Sequence, residues 1–244
     1  MKDYKKINSV EMAEGEGAAV KRIFPTKNYN GHHDPVVLMD EFTVEAPAGF
    51  PMHEHRGFEA LTYMLDGSFI HEDNLGNKAE MKKGGVQAFN AGKGLKHSEE
   101  PGEEGHSHGI QLWVNLPPAK KKSDPTYQQA AEIEEQNPKE GIKLREIIGP
   151  SSPIKMNTAL HYLHLKMDDN RRFSYTIKPE YNTLVYLLEG ELKINDEITL
   201  SKAQALLLEE DGEIIIEANQ KSQLFIISGL PHHQKIKIKG SFVE

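Results

Sequence analysis

Short apolar runs separated by turn-forming residues recur along the whole chain. Val36-Val37-Leu38-Met39 is one such run, and Val86 to Phe89 follows Gly84-Gly85. Ala60 to Phe69 is longer, rich in β-formers, and carries Asp66-Gly67. Ile110 to Leu116 alternates in polarity until Pro117-Pro118 stops it. Short, evenly spaced strands with Gly, Asn and Asp between them predict a sandwich or barrel. Tyr127 to Gln136 departs from the pattern. Its Gln, Ala and Glu content predicts a helix, ended by Asn137-Pro138 because the residue before a proline is pushed out of helical geometry. Pro117 to Gly141 then reads as a connection, and the β pattern resumes at Ile142.

The two halves also resemble each other. Thr62 to Phe69 parallels Val185 to Leu192, and Gln87-Ala88-Phe89 parallels Gln204-Ala205-Leu206, in the same order. A duplicated barrel explains both matches. The expectation is an all-β chain of two barrels in tandem with a short helical connection, the first over residues 1–130 and the second over 131–244.

Composition narrows the function. Of 244 residues, 37% are hydrophobic and 27% charged, as in a soluble globular protein. The formal charge is −8, which argues against direct nucleic-acid binding. The only basic run, Lys120-Lys121-Lys122, reads as a solvated loop. The absence of cysteine excludes disulfides, iron–sulfur clusters and thiol catalysis, so any metal must be held by His, Asp or Glu. Met1 to Lys6 is charged and lacks the apolar core of a signal peptide, and no apolar stretch reaches membrane-spanning length. The expected location is the cytoplasm, without a membrane partner.

One constellation carries metal chemistry. His53 and His55 are two residues apart, as are His97 and Glu99, and side chains at that spacing share a strand face. Two such strands facing one barrel interior would converge four ligands. Imidazole and carboxylate suit iron, manganese, cobalt, nickel, copper or zinc, with two positions of an octahedral ion left open. Glu59 has the parity of His55 and is expected to orient a ligand imidazole or act as a general base, against a plain salt bridge with Arg56. His71 is expected at the surface, His106 and His108 in a solvated loop, and His32-His33 and His232-His233 in loops without partners. Trp113 reads as core, whereas Phe50, Met52 and Phe58 would line an apolar mouth.

These residues carry a family resemblance. Phe50 to Glu59 (FPMHEHRGFE) and Ala91 to Glu99 (AGKGLKHSE) resemble the signature of the pirin family of bicupins, as do Gln111 to Pro117 and the following Pro125, Tyr127 and Gln128. The resemblance implies two cupin barrels with one iron-type metal, foremost iron(II), in the first only, and carries the ligand role onto His53, His55, His97 and Glu99. It also implies opening of a flavonol such as quercetin, or another enolic substrate, by molecular oxygen with release of carbon monoxide. Glu99 or Glu59 would then be the base. Other pirin-like proteins are described as transcriptional cofactors, so the alternative is a metal- or redox-sensing regulator of a partner protein such as a transcription factor. An open apolar mouth beside the metal would favour the enzyme, a sealed site the regulator. Carrying the repeat into the second half puts Thr176, Lys178, Ile214 and Ile216 where the four ligands sit, which predicts a barrel without metal.

Overall fold

A computed structural model describes residues 4–14 and 17–244, so the N-terminal reading falls partly on Met1, Lys2 and Asp3, outside the described residues. Strands β1 (Tyr4–Asn8), β2 (Val10–Glu14), β3 (Ala18–Phe24), β4 (Val36–Glu45), β5 (Phe50–His55), β6 (Phe58–Asp73), β7 (Lys78–Lys82), β8 (Val86–Asn90), β9 (Leu95–Pro101), β10 (His106–Asn115) and β11 (Thr126–Ala130) occupy the first half. They are followed by β12 (Glu135–Lys139), β13 (Ile142–Ile148), β14 (Leu160–Met167), β15 (Arg171–Ile177), β16 (Asn182–Glu189), β17 (Glu191–Ile194), β18 (Ile198–Ser201), β19 (Gln204–Leu208), β20 (Gly212–Ala218), β21 (Ser222–Gly229), β22 (Ile238–Lys239) and β23 (Phe242–Val243). The all-β expectation holds. No helix among the described residues is long and apolar enough to cross a membrane.

The connecting helix expected at Tyr127 to Gln136 is not formed. A single 3-10 turn at Pro118–Lys120 is the helical element among the described residues, and the expected helix is replaced by β11 and β12. Helix propensity among ordinary residues differs by at most about 0.7 kcal/mol each, which ladder pairing overrides. β11 pairs with β8 along five residues, and the Tyr127 ring stacks on His71 with centroids 4.6 Å apart.

The repeat is visible as matched topology. One large sheet runs β11-β8-β6-β10-β4-β3-β2 and the other β1-β19-β16-β21-β14-β13-β12. The repeated segments lie on corresponding strands, β6 with β8 and β16 with β19. The outermost strand comes from the connection in one case and from the N-terminus in the other. The contiguous division at residue 130 therefore needs correction. One unit comprises Val10–Ile133, Pro153–Thr158 and His232–Glu244, the other Met1–Ser9, Glu134–Ser152 and Ala159–Pro231. The physical reason is edge pairing: β1 satisfies the exposed ladder groups of β19 through five register pairs.

The C-terminal segment is an integral part of the first unit. Val243 N–H donates to Arg56 O at 2.9 Å, and Gly57, at φ +81°, leaves room that a Cβ would fill against the Val243 carbonyl. Lys121, expected in a solvated loop, is half-buried. Its ammonium donates to Gly57 O at 3.0 Å, Asn115 Oδ1 at 2.7 Å and Val243 O at 3.1 Å.

The second unit has an aliphatic interior that includes Ile177, Leu187, Ile194, Ile214 and Ile216. Register corrects two of the expected equivalences. Tyr175 faces Ile214 across β15 and β20 as His53 faces His97 across β5 and β9, so the inward residues are Tyr175 and Ile177, with Thr176 and Lys178 exposed. A slip of one residue turns every side chain to the other face. The four inward positions thus hold Tyr175, Ile177, Ile214 and Ile216, none a metal-ligand set.

Candidate metal centre

Three antiparallel strands build the site. β9 lies between β5 and β6, with His53 opposite His97 on one side and Asp73 opposite His97 and His71 opposite Glu99 on the other. Directly opposed residues share a face. His53, His55, His97, Glu99, His71 and Asp73 therefore share one face of this three-stranded patch.

The three histidines predicted as ligands converge. One ring nitrogen from each of His53, His55 and His97 falls within 4.8 Å of the others. His53 Nε2 and His55 Nε2 are 2.8 Å apart. The outer nitrogens face backbone carbonyls, His53 Nδ1 at 2.7 Å from Pro51 O and His55 Nδ1 at 3.4 Å from Ser241 O. Donation there places the Nε2 lone pairs toward the centre. Glu99 joins through the other side: it groups within 4.8 Å with His97 and His71. Its oxygens accept from Gln87 Nε2 at 2.5 Å and Gln111 Nε2 at 3.4 Å.

A buried relay stands behind His97. His71 Nε2 lies 3.2 Å from Asp73 Oδ2, and His71 Nδ1 lies 3.3 Å from His97 Nδ1. Asp73 is itself held by donors from Leu75 and Asn77, which help keep its carboxyl below the usual carboxylate range despite burial. An ionised Asp73 accepts a hydrogen bond from His71 Nε2–H, so the Nδ1 of the neutral His71 accepts from His97 Nδ1–H. His97 Nε2 then carries a lone pair. That atom is buried and has no hydrogen-bond partner.

The electrostatics suit a cation-binding site. Burial, reinforced by the neighbouring His53, pulls His55 down to about 3, and burial with three neighbouring histidines holds His97 well below its usual value. Burial lifts Glu99 to about 7 against the opposing hydrogen bonds from Gln111 and Gln87. His55 and His97 are thus neutral donors, and the orphaned His97 Nε2 is the atom a metal would satisfy. The donor set suits a single metal ion.

Several expectations about neighbouring residues need revision. Glu59 is not brought to this cluster. Its carboxylate accepts from Asn157 N–H and Nδ2 at 2.9 Å each and from Thr158 N–H at 3.2 Å. The parity that linked it to His55 is broken at Gly57, where strand geometry is interrupted. His71, expected at the surface, is 1% exposed. β6 continues through Gly67 to pair with β7 and β9, so His71 keeps the inward parity of Phe69; that parity was the available signal. His106 pairs with Asp66 at 3.2 Å and is exposed, while His108 reaches Glu41 at 3.1 Å. His33 is buried, and His232 Nε2 meets Thr158 Oγ1 at 3.2 Å and Asn115 O at 3.1 Å, so these are not partnerless loop residues.

A cavity of about 650 Å³ opens beside the histidines. Phe50, Met52, Leu38, Val20, Phe42 and Trp113 supply apolar walls, and Met52 is 52% exposed at the mouth. Phe58 stands behind the wall, fully buried and stacked on Trp113 at 4.2 Å. Trp113 therefore lines the cavity, 5.0 Å from the His55 ring between centroids, where a core position was expected.

Two cupin-type β-units, one with a His/Glu cluster open to an apolar cavity and one with an aliphatic interior, define a bicupin. Family models place it further: the one described as Pirin matches residues 17–114, and the Pirin C-terminal cupin domain matches residues 162–244. A pirin-like protein of Arabidopsis thaliana is 37% identical over 93% of this chain and 76% of its own length. A putative quercetin 2,3-dioxygenase of Pseudomonas aeruginosa is 33% identical over 95% of this chain and 87% of its own. A crystal structure of quercetin 2,3-dioxygenase from Acinetobacter baumannii superposes with TM-score 0.89 at 27% identity, over 98% of this chain and 90% of that one. The Escherichia coli pirin YhhW in complex with nickel(II) shares the fold, with TM-score 0.78 at 21% identity over 94% and 99% of the two chains. The chain belongs to the pirin family.

Proposed function

We propose that His53, His55, His97 and Glu99 hold one divalent transition metal, foremost iron(II), and that the protein opens a flavonol or related enolic substrate with molecular oxygen. The observation that carries this reading is the open apolar cavity beside the histidines, lined by Phe50, Met52 and Trp113. A regulatory centre read only through a partner surface has no need of it. Its volume lies within the range of small-molecule sites, roughly 300–1,000 Å³. The similarity to quercetin 2,3-dioxygenases supports the substrate class.

A bound divalent ion would supply Lewis acidity and a template for the adjacent hydroxyl and ketone oxygens of the substrate. The protein residues do the rest. Trp113 and Phe50 offer faces for a planar ring and keep water from it. Glu99 is the base assigned to the substrate hydroxyl, since it alone of the two candidate carboxylates lines the cavity. Glu59, fully engaged by Asn157 and Thr158, serves the structure instead.

Iron(II)-loaded protein is expected to consume oxygen with quercetin and release one carbon monoxide per oxygen taken up. The 3-methyl ether should be inert, because its blocked hydroxyl cannot ionise. Glu99→Gln should lose far more rate than Glu59→Gln; the reverse order would return the base to Glu59. Metal-replete protein that binds flavonols yet shows no metal-dependent oxygen uptake over a panel of enolic substrates would sink the dioxygenase reading and favour the regulatory one.

A further inference from the structure

A polar row that metal binding does not fully explain crosses the sheet, and its members Gln111, Asp40 and Arg22 line the cavity. Gln87 faces Thr62, Thr62 faces Gln111, Gln111 faces Asp40, and Asp40 faces Arg22, each pair directly opposed on adjacent strands from β8 to β3. Opposed residues share a face, so the row runs unbroken across five strands. Its near part serves the metal end: Gln87 and Gln111 both donate to Glu99. Its far part does not. Arg22 lies two strand spacings beyond Gln111, roughly 10 Å away.

At that far end an ion cluster lines an otherwise apolar cavity. Arg22 Nε and Nη2 clasp Asp40 Oδ1 and Oδ2 at 2.9 and 2.7 Å, and Nη2 also meets Glu14 Oε2 at 2.9 Å. The Asp40 side chain is 5% exposed and that of Arg22 13%. Burying such a pair is rarely the most stable choice for a fold, since apolar residues of similar volume often serve as well or better. Two carboxylates against one guanidinium leave the cluster net negative, and among the described residues no other Lys or Arg lines the cavity. Each carboxylate offers about four acceptor sites, more than Arg22 occupies.

Taking as given that the substrate's enolic oxygens sit at the histidine end, we propose that Asp40, Arg22 and Glu14 form the recognition site for its remote end. The cluster accepts hydrogen bonds from donor groups, phenolic hydroxyls foremost, and repels anionic ones. The preferred substrate is then a planar, uncharged polyphenol with hydroxyls at both ends, the apolar walls covering the rings between.

The test is equilibrium binding to nickel(II)-loaded protein under anaerobic conditions, where no turnover occurs. The probes are quercetin, with two hydroxyls on its pendant ring; galangin, with none; and a flavonol bearing a carboxylate there. Quercetin is expected to bind about tenfold tighter than galangin, as hydrogen bonds to a charged acceptor allow, and the carboxylate compound weakest. Asp40→Asn should shrink the quercetin preference. Glu14→Gln, on a part-exposed edge strand and so less able to disturb folding, should raise affinity for the carboxylate compound several-fold. Equal affinities for quercetin and galangin, or unchanged discrimination in Glu14→Gln, would overturn this inference and leave the metal-centred reading intact. Failure of all three flavonols to bind would remove both.

Discussion

At the scale of single residues, the centre depends on proton placement. To hold the proposed metal each imidazole must present a bare Nε2, and three different groups favour this: a carbonyl behind His53, another behind His55, and His71 behind His97. The His97 device is the most elaborate, because Asp73 orients His71 before His71 orients His97. Replacing His71 with Phe should preserve the stack on Tyr127 but free the His97 tautomer. Metal affinity, measured by chelator competition, is expected to fall roughly 10–100-fold. An unchanged affinity would show that His97 needs no such support. His53, His55, His97 and Glu99 were readable from spacing alone. His71 is less plain: it has the inward parity of Phe69, but the polar turn that follows it points to the surface.

At the scale of elements, the C-terminal hairpin of β22 and β23 closes the unit that carries the histidine cluster. Ser241 O faces His55 Nδ1, and the Lys121 ammonium ties Val243 O to Gly57 O and Asn115 Oδ1. Burial lowers the Lys121 pKa, the cost of holding a cation there. Lys121→Met would leave three carbonyl acceptors without their donor. The expected loss is about 1–3 kcal/mol of stability, read as a lower denaturant midpoint, with faster proteolysis of residues 232–244. No change in either would mean that the hairpin is held by its apolar contacts, Ile238 and Val243 among them. Composition gave no hint of this role, since three consecutive lysines look alike until one of them meets the acceptors.

At the scale of the whole molecule, duplication has been followed by divergence of the interiors. The strand orders match across the two large sheets, yet the positions of His53, His55, His97 and Glu99 in one unit hold Tyr175, Ile177, Ile214 and Ile216 in the other. Elemental analysis of the reconstituted protein is expected to find one metal per chain, and none after His97→Ala, with the fold retained because packed apolar side chains supply the cores. A reproducible value near two, or unfolding of the metal-free variant, would contradict this.

The alternation of polarity, the turn residues and the two spaced His/Glu pairs are local properties, and they determined the all-β class, the repeat and the histidine cluster. Side-chain parity is set by the pleat and needs no tertiary information. What the tertiary structure decided is everything that depends on which strand lies beside which. β1 joined the far sheet, β11 formed where a helix was expected, Glu59 turned to Asn157 and Thr158, and Arg22 came into line with Asp40 and Gln111. Each follows from pairing between residues far apart in sequence, where open ladder groups and buried charges must find partners and local propensity is too weak to choose them.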